Sequence, residues 1–539
     1  MRGLMQHDDL VLTRILERAT TFYPRQQIVT KTAQGIHRET YEEFGERVAR
    51  LASALKQLGV QPGDRVGSFG FNTYRHLELY YAVPCMGSVL HTLNIRLHPD
   101  QVAWIANHAE DNVVFVDAAL VPLFEKVAPN LKTVERIVVM GEGERGTLDA
   151  ALDHETLLAE ASPEFAWPDL DEDDACSVCY TSGTTGNPKG VVYSHRSMVL
   201  HAWMLNMAET IGITTRDAVL PVVPMFHANA WGMPFGATWA GAKHVFAGQY
   251  SADPASLAEL IEGEQVTVAA GVPTVWIGLL QYLEQNPRDL SSIRCITAGG
   301  SAVPVSLIEN FEKRFGLAMV QGWGMTETGP VASLSHLTPD LAKLPAEERY
   351  RQRAKQGRVV PGVRFRVQSE TGEEVPWDSK SMGEVQVKGN WVASEYYNDP
   401  TGADRFVDGW LRTGDVAVVD EHGFMQLVDR TKDLVKSGGE WISSVELESA
   451  LMGHPAVMEA AVIGVAHERW SERPLACVVL KPGQEASKED LLKFLKPKFA
   501  SWWLPDDVVF LEEIPKTSVG KFDKKVLRED FKGYRLPER

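Results

Sequence analysis

Residues Tyr180-Thr181-Ser182-Gly183-Thr184-Thr185-Gly186-Asn187-Pro188-Lys189-Gly190 form a polar, glycine-punctuated run between two apolar ones. Thr181, Ser182, Thr184 and Thr185 bring hydroxyls, and Gly183, Gly186 and Gly190 let the backbone turn tightly and approach a ligand. Successive N–H groups with hydroxyls and the Lys189 cation suit a polyphosphate. Ser177 to Tyr180 before the run and Val191 to Tyr193 after it read as strands, so the run is a loop between ordered segments. A Gly/Ser/Thr run is ordinarily a plain hairpin loop; the lysine and the glycine spacing favour a phosphate cradle. The Gly-x-x-x-x-Gly-Lys-Ser/Thr loop of ordinary NTPases enters a helix. Here Pro188 precedes the lysine and a β-branched run follows Gly190, so this is a loop of another kind.

A chain of 539 residues exceeds one core, and two or more domains are expected. With 44% hydrophobic and 23% charged residues it reads as soluble and globular. The net charge of -18 argues against a nucleic-acid partner, so local positive charge must meet an anionic substrate. Five cysteines, an odd number, suggest a reducing compartment. Cys176 and Cys179 make a Cys-x-x-Cys with no second pair or histidine cluster, and read as strand residues rather than zinc ligands. The amino terminus lacks a basic-then-apolar signal pattern. The most apolar region, about 218 to 242, is broken by Pro, His and Asn and does not suit a bilayer span.

Helix and strand patterns alternate along the first part. Thr40 and Glu43 make a capping box, Phe44, Val48, Leu51, Ala52 and Leu55 keep helical spacing, and Gly59 fits the stop. Strands are expected at 65–69, 113–116, 266–270 and 294–298, with a helix over about 304–315. This alternation predicts α/β layers with parallel strands. After about Lys432 the pattern restarts. Helices over 445–451 and 491–499 and strands over 460–465, 475–480 and 508–511 make an α+β unit of ordinary domain size.

The continuous match from Thr181 to Gly190 resembles the phosphate loop of the adenylate-forming superfamily of acyl-CoA synthetases, luciferases and peptide-synthetase adenylation domains. Four further stretches keep the family order. Pro224-Met225-Phe226-His227-Ala228-Asn229-Ala230-Trp231 implies an acyl pocket. There His227 positions the carboxylate, and Trp231 resembles the gate of bacterial long-chain fatty acyl-CoA synthetases. A packed core tryptophan is the plainer reading. Thr297-Ala298-Gly299-Gly300-Ser301 implies a close turn beside adenine and acyl chain. In Gln321-Gly322-Trp323-Gly324-Met325-Thr326-Glu327, Trp323 replaces the commoner Tyr and can stack on adenine. Thr326 is expected at the phosphate, and Thr184 with Glu327 at Mg²⁺, which needs few protein oxygens. Asp415, helped by Arg430, resembles the ribose anchor, a carboxylate accepting two vicinal hydroxyls. Lys432 belongs to the same nucleotide set.

The resemblance covers nearly the whole chain and implies a large multi-layer N-terminal domain over 1–428, a hinge over 429–434 and a small mobile α+β domain over 435–539. In the late motif Pro515 to Lys521, Lys521 is implied to reach the α-phosphate and acyl carboxylate, offsetting charge in adenylation. Lys436, Gly438, Gly439 and Trp441 are implied to flank the coenzyme A thiol path. Ser444 stands where many relatives have Pro, Asp429 where they have Gly, and Leu411 where Tyr is usual. The implied reaction has two steps. A carboxylate, expected to be a medium- or long-chain fatty acid, attacks the α-phosphorus of Mg·ATP. Coenzyme A then displaces AMP, after the small domain turns and shields the adenylate from water. The alternative is a ligase for a short sulfur-containing or branched acid such as 3-methylmercaptopropionate. More remote is a non-catalytic nucleotide-binding protein, against which Lys521, Glu327 and Asp415 argue. A cytoplasmic homodimer is expected.

Overall fold

The computed structural model describes all residues except 2, 149, 182–186, 370, 431–432, 438–439, 468, 517–521 and 538–539. Two large sheets dominate the first four hundred or so residues. The seven-stranded sheet runs, edge to edge, Leu152–Asp153, Arg136–Met140, Asp111–Asp117, Arg65–Phe69, Val89–Thr92, Ala175–Tyr180 and Gly190–Ser194. All its pairs are parallel except the last, where Cys179 faces Val191 and Tyr180 faces Gly190 antiparallel. The phosphate-loop run therefore connects two hydrogen-bonded neighbours. The nine-stranded sheet has a parallel centre, Gln27–Thr32, Lys243–Phe246, Ala218–Pro221, Val268–Gly271, Cys295–Gly299 and Met319–Gly324, with antiparallel strands at both edges. Parallel sheets need both faces covered, which is why their strands are near-continuous apolar runs.

Helix Tyr41–Gln57 starts on the capping box: Glu43 N–H donates to Thr40 Oγ1 at 3.2 Å, and Thr40 N–H donates to Glu43 Oε2 at 2.7 Å. Its buried stripe Phe44, Val48, Leu51, Ala52 and Leu55 packs on helix Tyr74–Cys85, which is buried at every residue but Arg75. One contiguous cluster, from Leu12 to Met425, joins these helices to both sheets.

A third, five-stranded antiparallel sheet covers 363–430. Its strands are Val363–Gln368, Gly383–Gly389, Phe406–Val407, Trp410–Val419 and Met425–Arg430. The last of them leads straight into 431–434. Beyond these residues lies the α+β unit. Ser471–Leu480 pairs antiparallel with Val457–His467 and parallel with Asp507–Phe510, and helices Ser444–Met452, Lys488–Leu495 and Lys524–Asp530 pack around it. It has apolar clusters of its own, one around Val462, Val478 and Leu491 and one around Ile463, Cys477 and Leu527. The helix expected at 491–499 starts earlier, at Lys488, because Ser487 and Asp490 form a capping box there. No helix among the described residues is long and apolar enough to cross a membrane.

Candidate active site

Hydrogen bonds link the three sheets of the larger part near the predicted site: Tyr397 to Gly190, Tyr193 to Thr326 and Trp323 to Asp415. Ser182, Gly183, Thr184, Thr185 and Gly186 lie outside the described residues; the base of their loop does not. Thr181 N–H donates to Lys189 O at 2.9 Å and Lys189 N–H to Thr181 Oγ1 at 3.2 Å, so the loop is pinched shut at its neck. Tyr397 N–H donates to Gly190 O at 2.9 Å, fastening that neck to the connection between strands Gly383–Gly389 and Phe406–Val407 of the third sheet. A Cβ at Gly190 would crowd the neck, 3.0 Å from Tyr180 Cζ and 3.2 Å from Tyr397 Cβ.

Lys189 Nζ lies 3.1 Å from Asp399 Oδ2 and 4.8 Å from the centroid of the Tyr396 ring. The Tyr396 hydroxyl donates to Glu327 Oε1 at 2.6 Å. Burial, with the Glu327 carboxylate beside it, pushes that phenol far above its usual range, so it stays a donor at any working pH. Glu327 is buried, its carbonyl receives Ala393 N–H at 2.8 Å, and the neighbouring Thr326 carbonyl receives the Tyr193 hydroxyl at 2.7 Å. The loop neck, Lys189, Tyr396 and Glu327 are thus one connected circuit. Sequence reading placed Lys189, Thr326 and Glu327 here but missed Tyr193, Tyr396 and Asp399, which stand outside any glycine-rich motif.

The parallel strands Cys295–Gly299 and Met319–Gly324 end side by side, with Gly299 opposite Gly322. A Cβ on Gly299 would meet Gly322 O at 2.7 Å and the Trp231 ring at 3.1 Å, so backbone, glycine and indole are in close contact. Gly300 follows with φ 83°, and Ser301 is exposed. Gly324 tolerates no side chain either, since a Cβ would fall 1.7 Å from Pro330 O. Gln321, expected at the nucleotide, is buried; its Oε1 accepts Val303 N–H at 3.1 Å and so braces the glycine turn. Trp323, expected only to stack, also donates from Nε1 to Asp415 Oδ2 at 2.9 Å, tying the nine-stranded sheet to the five-stranded one. Asp415 is buried and sits in register with Arg430.

His227 is half-buried at the head of an unusual turn. Ala228, Asn229, Ala230 and Trp231 have φ of 44°, 52°, 49° and 58°, and Gly232 continues at 73°. Four consecutive non-glycine residues in left-handed geometry cost roughly 1–2 kcal/mol each. Buried Asn229 holds the turn: its Nδ2 donates to Ser177 Oγ at 3.0 Å and its Oδ1 accepts from Tyr80 at 3.3 Å.

Lys521, Gly438 and Gly439, expected in the small unit, and Lys432, expected in the hinge, lie outside the described residues. Lys436 and Trp441 are opposite each other in the backbone register of the hairpin Val435–Ser437/Glu440–Ile442. Cys176 and Cys179 are buried, unpaired strand residues, as expected; burial pushes the Cys179 thiol up to about 11. Among the described residues no group of three or more His, Cys, Asp or Glu forms a metal cluster.

Residues 16–397 match the AMP-binding enzyme family and residues 446–521 the AMP-binding enzyme C-terminal domain. The chain is 49% identical to a long-chain-fatty-acid–CoA ligase of Thermus thermophilus, covering 98% of this chain and 97% of the relative. It is 42% identical to a 3-methylmercaptopropionyl-CoA ligase of Ruegeria pomeroyi, covering 99% of each. An anthranilate CoA ligase in complex with anthranoyl-AMP has the same fold, at a TM-score of 0.87 and 26% identity over 96% of this chain and 97% of that one. Fold and sequence agree, and the chain belongs to the AMP-binding enzyme family.

Proposed function

We propose that the chain is an AMP-forming acid–thiol ligase that joins a medium- or long-chain fatty acid to coenzyme A through an acyl-adenylate. The observation that carries this reading is the circuit from the loop neck through Lys189 and Tyr396 to Glu327, with the Trp323–Asp415 bond beside it. The circuit links the neck of the polyphosphate loop, through Lys189 and Tyr396, to the buried Glu327 carboxylate, and the indole bond gives a sugar anchor on the next sheet. No protein nucleophile is needed, because the substrate carboxylate attacks. In this reading Thr181, the loop hydroxyls and Lys189 bind phosphate, Asp415 and Arg430 the ribose, and Gly299, Gly300 and Trp323 the adenine. His227 and Trp231 border the acyl carboxylate, and Lys521 offsets charge during adenylation.

Glu327 is a hard oxygen donor braced by Tyr396, a donor type that suits Mg²⁺, and Thr184 is its sequence-inferred partner. Bound there, Mg²⁺ would neutralise phosphate charge. We assign 1–428 to the large domain, 429–434 to the hinge and 435–539 to the small domain. Buried, unpaired Cys85, Cys176, Cys179, Cys295 and Cys477 suit the reducing cytoplasm, where we place the enzyme as a homodimer.

A second reading, ligation of 3-methylmercaptopropionate, draws on the near-full-length likeness to the Ruegeria ligase. Pyrophosphate release with a panel of carboxylates distinguishes the two. Straight-chain fatty acids are expected to give the highest rates and aromatic and amino acids the lowest. A preference for 3-methylmercaptopropionate selects the second reading, and no stimulation by any acid rejects both.

A further inference from the structure

A chain of buried polar groups crosses the junction between the two parts of the molecule. Asp429, the first residue of the assigned hinge, lies in strand Met425–Arg430, opposite Val416, and is carried by the five-stranded sheet of the larger part. It is 4% exposed. One carboxylate oxygen accepts both the backbone N–H of Ser444, at 3.0 Å, and the Ser444 hydroxyl. Ser444 is the first residue of helix Ser444–Met452 in the smaller part, is fully buried, and follows Ser443, the N-cap. Its Oγ in turn accepts from Lys524 Nζ at 2.5 Å, and Lys524 pairs with buried Glu448 at 2.7 Å. Glu448 also accepts Val462 N–H at 2.7 Å. Lys524 opens the last helix, Lys524–Asp530, and Arg528 on that helix pairs with Asp433.

The last helix is therefore tied at two points to the residues that bracket 430–432: through Ser444 to Asp429, and directly to Asp433. Two carboxylates and one ammonium are desolvated together. Such groups are tolerated only while each keeps its partners. Of these contacts the two Asp429–Ser444 bonds span the junction, while Ser444, Lys524 and Glu448 are held together within the smaller part.

We propose that Ser444 and Lys524 are positioning residues for adenylation. They clasp Asp429, hold the smaller part in this orientation, and fix the chain three residues after Lys521. The inference rests on the reading of Lys521 given above. It also explains why a serine is kept where proline would start the helix well: proline has neither the N–H nor the hydroxyl that Asp429 receives.

Ser444→Pro is the sharpest test, because proline is favoured at the first helical position and Ser443 keeps the cap. Adenylation, read as pyrophosphate exchange in the full-length enzyme, is expected to fall about tenfold, the scale of losing charge-assisted hydrogen bonds. Thioester formation from supplied acyl-adenylate and coenzyme A is expected to hold within about twofold, less than one such bond is worth. Lys524→Ala should repeat the split and Lys524→Arg, which keeps the cation, should recover adenylation. Asp429→Asn, near-isosteric, gives the same split in a fold with no new backbone demand. Lys521→Ala is measured alongside. If Lys521→Ala loses adenylation while the Ser444, Lys524 and Asp429 variants do not, the clasp is wrong and the Lys521 reading stands. If Lys521→Ala adenylates normally, that reading itself fails. Equal loss of both half-reactions in Asp429→Asn and Lys524→Ala also overturns the clasp.

Discussion

Trp323 is a residue where one substitution separates two tasks of an aromatic ring. Trp323→Phe keeps a face for stacking but removes the N–H that Asp415 receives at 2.9 Å. If Asp415 needs that donor to present itself to the ribose, the KM for ATP rises about tenfold with a smaller change in kcat. A cycle with Asp415→Asn then shows coupling above about 1 kcal/mol. Strictly additive effects would make the indole bond incidental. Sequence motifs named both residues but not the bond, because spacing along the chain says nothing about which ring edge faces which carboxylate. Tyr396 and Asp399 were illegible for a related reason. They stand in Trp391-Val392-Ala393-Ser394-Glu395-Tyr396-Tyr397-Asn398-Asp399, a stretch with no glycine spacing and no periodicity. Only the fold carries them to Glu327 and Lys189.

The element that most repays attention is the left-handed turn Ala228–Gly232. It presses Trp231 onto Gly299, and its end abuts buried His201, whose Nε2 accepts Val331 N–H at 3.1 Å. A Cβ on Gly232 would lie 2.5 Å from His201 Nδ1, at a φ of 73°. Gly232→Ala is accordingly expected to destabilise the enzyme by about 1–3 kcal/mol, read as a lower denaturant midpoint. An unchanged midpoint would mean that the turn relaxes freely. Trp231→Ala removes the ring from Gly299 and is expected to change the acyl-chain preference; an identical chain-length profile would assign the indole to packing alone. Regular elements were far more legible than this turn. Thr40 with Glu43 and the stripe to Leu55 foretold helix Tyr41–Gln57, and the strand expected at 65–69 is strand Arg65–Phe69. The five-stranded sheet passed unread although Val363–Gln368 alternates apolar and polar residues, and with it went the surface that bears Asp415. Nothing in Ala-Asn-Ala-Trp marks four left-handed residues, since only Asn tolerates that region readily.

At the scale of the whole molecule, burial dictates an acid limit. His76 and His195 are held down to about 4, and His201 and His244 to about 3, each because burial disfavours the imidazolium. Their folded-state values lie below the unfolded one, so the unfolded chain takes up protons first as pH falls. Their contribution is full above the unfolded value of 6.5 and is lost on acidification toward about 4 and 3. Each contributes a slope of up to about 1.4 kcal/mol per pH unit in that window. Buried Glu78 and Glu448, pushed up to about 8 and about 7, act the other way: their contributions are full below the unfolded value and fade as pH rises through about 8 and about 7. The four histidines, joined by buried His154 at about 3, outnumber them. The thermal midpoint is expected to drop clearly between about pH 7 and about pH 5, and a flat midpoint over that range would contradict the burial argument.

The circuit around Glu327 and the clasp on Asp429 both serve a single claim, that this molecule splits ATP between its first and second phosphorus atoms to activate a carboxylate. Identifying the nucleotide product during turnover with fatty acid and coenzyme A tests it most directly. AMP and pyrophosphate formed in step with acyl-CoA is the predicted result; ADP and orthophosphate as the products would contradict the account.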